Sequence, residues 1–289
     1  MTSLPQDSPS PQSRGFDGRD LRLRLASALL LAPTALAAVW FGEGQLAWLF
    51  MVLIAVAAAL LAVEWGTMSA PRRPARVGGA VILVVLTAVF CAHYRAFPLA
   101  WGSLVIGAVA AAAIARGFSE RKTDAAFGVF YIGIPCVLLL WLRGADEGRA
   151  WTTALLVSVW AADAAAFFVG KTLGGPKLWP RFSPNKTWSG FFGGLAGAAL
   201  AALAHRLVLG PPLEWYLSLP VAVAFGVVVG LAAMAGDLWE SMLKRRFGVK
   251  DSGALIPGHG GLLDRVDGLM FAVLAASFVR WLVATGWLA

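Results

Sequence analysis

Charge is scarce in this chain of 289 residues. Only 14% of it is Asp, Glu, Lys or Arg, against roughly 25% in soluble domains. Set beside 59% hydrophobic residues, that deficit excludes an ordinary soluble domain. Cysteine is scarcer still. Cys91 and Cys136 both lie inside apolar runs, so no disulfide framework is implied and both read as small core residues. No repeat of fixed period is visible, and no symmetric pair of interrupted apolar runs marks a transporter. Acids are outnumbered, 16 against 24 cations, for a net charge of +8. In a soluble protein that excess would suggest nucleic acid. Here the cations sit in short connections between apolar runs, where they set orientation and meet anionic headgroups.

What the chain does have is hydrophobic length. Residues 1–20 are a Ser-, Pro-, Gln- and Gly-rich stretch that reads as a disordered tail. Arg14, Arg19, Arg22 and Arg24 then precede the first apolar run, Leu25 to Phe41. Ala35-Leu36-Ala37 imitates a signal-peptide cleavage site, but the long polar leader and the runs downstream favour a retained first helix. Further runs cover 45–63, 77–92, 97–115, 125–142, 151–170, 188–208, 217–236 and 268–288. Most are near the roughly 20 residues a bilayer demands. The expected fold is therefore all-α: a polytopic helix bundle of nine spans, one catalytic domain over 21–289. With the tail inside, 19 cations fall on the inner connections, and four (Arg95, Arg143, Arg149, Arg206) on the outer ones. That bias puts the amino terminus in the cytoplasm. Within 188–208, Gly190, Gly193, Gly194 and Gly197 form a small-residue seam for close helix contact, within one chain or between chains.

Polar chemistry concentrates in Gly236–Asp267, which mixes Asp237, Glu240, Asp251, Asp264 and Asp267 with Lys244, Arg245, Arg246, Lys250 and Arg265. If the eighth run continues as helix, Asp237, Glu240, Ser241 and Lys244 share one face. The turn Pro257-Gly258-His259-Gly260-Gly261 suits backbone N–H groups that converge on an anion. Asp264 and Asp267, one helical turn apart, are oxygen donors of the kind Mg²⁺ takes together with phosphates. The connection Lys171–Gly190 carries four cations and no acid, and reads as a phosphate clamp or a plain positive-inside loop. Asp163, alone inside the sixth run, is expected to face protein or a water-filled cavity. Glu64, at the inner end of the second run, reads as an interfacial residue.

These residues carry a specific resemblance. Ser241-x-x-Lys244-Arg245, Lys250-Asp251 and Pro257-x-His259-Gly260-Gly261-x-x-Asp264-Arg265-x-Asp267 resemble, over 27 residues, the signature of the phosphatidate cytidylyltransferase (CDP-diacylglycerol synthase) family. Ser183-Pro184-Asn185-Lys186-Thr187 is similar to that family's SPxKTxEG block, Asp163 to its membrane aspartate, and Tyr131-Ile132-Gly133 fits too. The family has Glu where this chain has Ser189. The resemblance implies a homodimeric membrane enzyme that joins CTP and phosphatidate into CDP-diacylglycerol and pyrophosphate. It also implies Mg²⁺, with room for a second metal ion, and no nucleic acid. The site is expected at the cytoplasmic side of a bacterial inner membrane. Metal ligands would be Asp237, Asp264 and Glu240. Catalytic positions would be Lys244, Arg245, Lys250, Asp251, His259, Arg265 and Asp267. Substrate would be held by Asp163, Ser183, Lys186, Thr187, Ser241, Gly260 and Gly261. Another CTP-dependent lipid enzyme, such as a polyprenol-type kinase, and a membrane transporter are the alternatives.

Overall fold

In hydrocarbon a segment must satisfy its own N–H and C=O groups, and a single apolar run does so only as an α-helix. The computed structural model describes residues 32–41, 44–115, 121–209, 215, 217–253 and 260–288. Its helices are α1 (Ala32–Phe41), α2 (Ala47–Ser69), α3 (Pro74–His93), α4 (Phe97–Ala115), α5 (Lys122–Gly144), α6 (Gly148–Leu173), α7 (Trp188–Val208), α8 (Leu219–Arg246) and α9 (Leu263–Ala284). Among the described residues, the eight from α2 to α9 are long and apolar enough to cross a membrane. They fall on the eight runs expected after the first, and α8 does run on past 236 to Arg246. The first run is described from Ala32 onward; the tail and its four arginines lie outside the described residues.

Two buried clusters divide the bundle. Trp65, Val81, Leu104, Val129 and Ile132 centre the first, across α2 to α5. Trp151, Leu155, Phe225, Val229, Val273 and Ala276 centre the second, across α6, α8 and α9. Leu243 of α8 and Leu263 of α9 belong to the first cluster, so one end of this helix pair is packed against α2 and α5. Phe247, just past α8, meets the Trp65 ring edge-on at 5.7 Å.

The small-residue seam of α7 lies within the chain, against α6. A Cβ added at Gly190 would sit 2.8 Å from Ala166 O and 3.4 Å from Gly170 Cα, a spacing no other residue tolerates without moving a helix. Gly190→Leu is therefore expected to destabilise by about 1–3 kcal/mol or more through overpacking, read as a lowered unfolding temperature in detergent. An unchanged midpoint would mean that the helices separate freely here.

The connection from α6 to α7 is not a plain loop. Lys177–Trp179 (β1) and Ser183–Thr187 (β2) pair antiparallel, Lys177 opposite Thr187 and Trp179 opposite Ser183. Gly174 and Gly175, at φ of +60° and +106°, end α6. The Trp188 N–H donates to Pro176 O at 3.1 Å, closing the base of the hairpin. Three prolines in nine residues (Pro176, Pro180, Pro184) hide the pairing from a sequence reading, because proline removes ladder donors.

Candidate active site

Helix α8 delivers Asp237, Glu240 and Lys244 to the end of the bundle that the hairpin covers. Glu240 is fully buried. Lys244 Nζ lies 3.0 Å from Glu240 Oε2 and 2.5 Å from Oδ1 of Asp264, which stands in the first turn of α9. The second oxygen of Asp264 accepts from Ser252 N–H at 3.1 Å, Ser252 Oγ at 2.9 Å and Gly261 N–H at 3.1 Å. The glycine turn was expected to aim its N–H groups at a substrate anion. At Gly261 the anion is the chain's own aspartate. Gly260 wraps the same carboxylate, at a φ of +85° that side-chain-bearing residues rarely adopt.

The hairpin supplies the opposite wall. Lys186, on β2, forms an ion pair with Asp237, joining the two stretches that carried the sequence resemblance. Thr187 caps α7 by accepting from Gly190 N–H at 3.1 Å. Ser189 donates to Gly174 O and lies 3.0 Å from Thr187 Oγ1. Where the family has Glu, this chain thus uses a short hydroxyl to tie the hairpin's two ends together.

Between these parts lies a cavity of about 850 Å³, within the roughly 300–1,000 Å³ usual for ligand sites. Asp163, Lys186, Thr187, Asp237, Lys244, Asp264, Arg265 and Asp267 all line it, so Asp163 faces a cavity as expected. Lys171, Lys177 and Asn185 add polar groups, while Phe167, Phe191 and Met234 give the wall an apolar side. Glu240 stands behind Lys244. Arg245, Lys250, Asp251, Ser183 and Ser241 are not part of the lining, and Arg245, Lys250 and Asp251 are exposed. His259, Pro257 and Gly258 lie outside the described residues.

Two participants escaped the sequence reading. Ser252 is buried and bonded to Asp264. Glu64 is not interfacial: it is 2% exposed and accepts from the N–H groups of Leu262 and Leu263, each at 2.7 Å. The signal was available. Glu64 has no cation three or four residues away in sequence, the same criterion that singled out Asp163.

The donor set suits a hard divalent cation. It is oxygen-only, and the buried Glu240 carboxyl faces that of Asp267 in an acid-rich corner. Among the described residues, no three acid, histidine or cysteine side chains form a ready-made ligand cage. Mg²⁺ rarely uses one; it takes one or two carboxylates and completes its shell with water and substrate phosphates.

Helices long and apolar enough to span a membrane, with carboxylates and ammonium groups around a cavity at one end, define a class: an integral membrane protein with a charged, oxygen-rich cavity. The comparisons specify it further. A model of the cytidylyltransferase family matches residues 22–283. A phosphatidate cytidylyltransferase of Brucella suis is 42% identical over 257 residues, covering 88% of this chain and 90% of the relative. One from Thermotoga maritima is 31% identical over 271 residues, covering 92% and 98%. The chloroplastic phosphatidate cytidylyltransferase 5 of Arabidopsis thaliana is 35% identical over 275 residues, covering 81% and 66%. This chain belongs to the cytidylyltransferase family.

Proposed function

We propose that this protein transfers the cytidylyl group of CTP to phosphatidate, giving CDP-diacylglycerol and pyrophosphate. The observation that carries the reading is the convergence, on one cavity, of Lys186 and Thr187 from the hairpin, Asp237 and Lys244 from α8, Asp264, Arg265 and Asp267 from α9, and Asp163 from α6. An oxygen of the lipid phosphate forms a bond to the α-phosphorus of CTP, and the bond from that phosphorus to the bridging oxygen breaks, releasing pyrophosphate. A phosphate monoester has a second pKa near 6 and is largely dianionic at neutral pH. It needs no strong general base, so the chemistry does not depend on a histidine or cysteine dyad.

The obstacle is bringing two polyanions into line. Lys186, Lys244 and Arg265 would neutralise phosphate oxygens by charge-assisted hydrogen bonds. Asp237 and Asp264, with Glu240 behind them, would hold Mg²⁺, which when bound supplies charge neutralisation and alignment of the phosphates. The apolar side of the cavity, at Phe167, Phe191 and Met234, suits the glycerol and acyl part of the lipid. The 19-to-four distribution of cations supports a cytoplasmic site, where CTP is. Bacterial relatives support the inner membrane, and the resemblance supports a homodimer.

Purified full-length protein in detergent, given CTP, phosphatidate and Mg²⁺, is expected to form CDP-diacylglycerol and pyrophosphate, and to stop when the divalent cation is chelated. Release of CDP instead would indicate a kinase. No product at all would sink the reading.

A further inference from the structure

Behind the cavity, not on its wall, sits a buried acid that the reaction scheme leaves unused. Glu64 comes from α2, nearly 200 residues upstream of the groups it binds. Its Oε1 takes the Leu262 N–H and its Oε2 the Leu263 N–H. These are donors at the start of α9, which helix geometry leaves without internal partners, at the end of the helix that favours negative charge. Oε2 also lies 3.4 Å from Ser252 Oγ, the hydroxyl that donates to Asp264 at 2.9 Å. Gly261, which also donates to Asp264, is pressed close: a Cβ there would approach Glu64 Oε1 to 3.0 Å and overlap Ser252 Oγ. Glu64 thus holds both the helix start and the loop that together orient one carboxylate.

We propose that Glu64 is a positioning residue for Asp264. Anchoring the first amides of α9 and, with Ser252, the loop around Asp264, it fixes the direction in which that carboxylate presents its oxygens to a divalent cation. The inference rests on the reading of Asp264 as a metal ligand. Glu64 does not line the cavity, so its effect is on the aspartate, not on substrate. A mere brace would change stability alone; a positioning group changes metal affinity.

The test is Mn²⁺ binding to purified full-length protein without substrates, followed by the loss of the free-ion signal in electron paramagnetic resonance, with Asp264→Asn marking the loss of the site. Glu64→Gln keeps the shape but sets an NH₂ against one of the two N–H donors. It is expected to weaken Mn²⁺ binding about 10–100-fold, as second-layer changes at metal sites do. The Mg²⁺ concentration for half-maximal turnover is expected to rise in step. Ser252→Ala, which spares both α9 amide bonds, is expected to shift the same two quantities in the same direction. Wild-type Mn²⁺ affinity in a folded Glu64→Gln protein would overturn the inference. If Glu64→Gln cannot be recovered folded, wild-type affinity in Ser252→Ala overturns it. A wild-type protein that binds no Mn²⁺ also overturns it. If the wild type binds Mn²⁺ but makes no CDP-diacylglycerol, the reaction assignment fails, and the Mn²⁺ comparison still decides the role of Glu64.

Discussion

Asp264→Asn is expected to lower turnover at least about 10³-fold, beyond the 10²–10³ typical of losing one preorganised donor, while the protein still accumulates in the membrane. Both oxygens of the wild-type carboxylate accept from donors: Lys244 on Oδ1, and two N–H groups with one hydroxyl on Oδ2. An amide keeps the shape but has one acceptor oxygen. Whichever way it turns, its NH₂ faces groups that are themselves donors. The negative charge that would draw a divalent cation is lost as well. Incorporation of labelled CTP into lipid measures the first effect, and size-exclusion chromatography in detergent checks the fold. Near-wild-type incorporation would remove Asp264 from the metal role.

Lys244→Met is expected to cost about 3–5 kcal/mol of stability, the usual result of breaking a buried pair and leaving one charge uncompensated. The left-over group is Glu240, fully buried; Asp264, the other partner of Lys244, keeps its donors from Ser252 and Gly261. The thermal midpoint in detergent should fall, and turnover with it. Stability and chemistry separate in the double variant. Adding Glu240→Gln removes the stranded charge and should restore much of the midpoint without restoring turnover. A double variant as unstable as Lys244→Met would show that Lys244 stabilises through packing rather than through Glu240.

The helices were legible because a bilayer leaves one local solution for each apolar run, and α2 to α9 fall where composition put them. The carboxylate face of α8 followed from helical periodicity, and the cavity position of Asp163 from the cost of a charge in hydrocarbon. Partnership between elements was not legible. Nothing local shows that Lys186 meets Asp237, or that the N–H of Gly261 turns inward to Asp264 rather than outward to a ligand. The missing cation beside Glu64 marked it as a buried acid, but its partners were not legible: they are backbone amides at the start of α9. The hairpin was hidden by prolines that break the usual strand pattern yet still permit a short two-stranded pair.

The tie between α2 and α9 also sets an order of events during synthesis. Glu64 and Leu263 are 199 positions apart, so at about 5–20 residues per second the carboxylate leaves the ribosome roughly 10–40 s before its amide partners exist. Through the insertion of six further helices it lacks those two amide donors. The nascent chain therefore cannot assemble the pocket piecemeal. Asp237 and Lys244 are already made while Asp264 still has no anchored helix to stand on, and the machinery closes only when the final segment enters the bilayer.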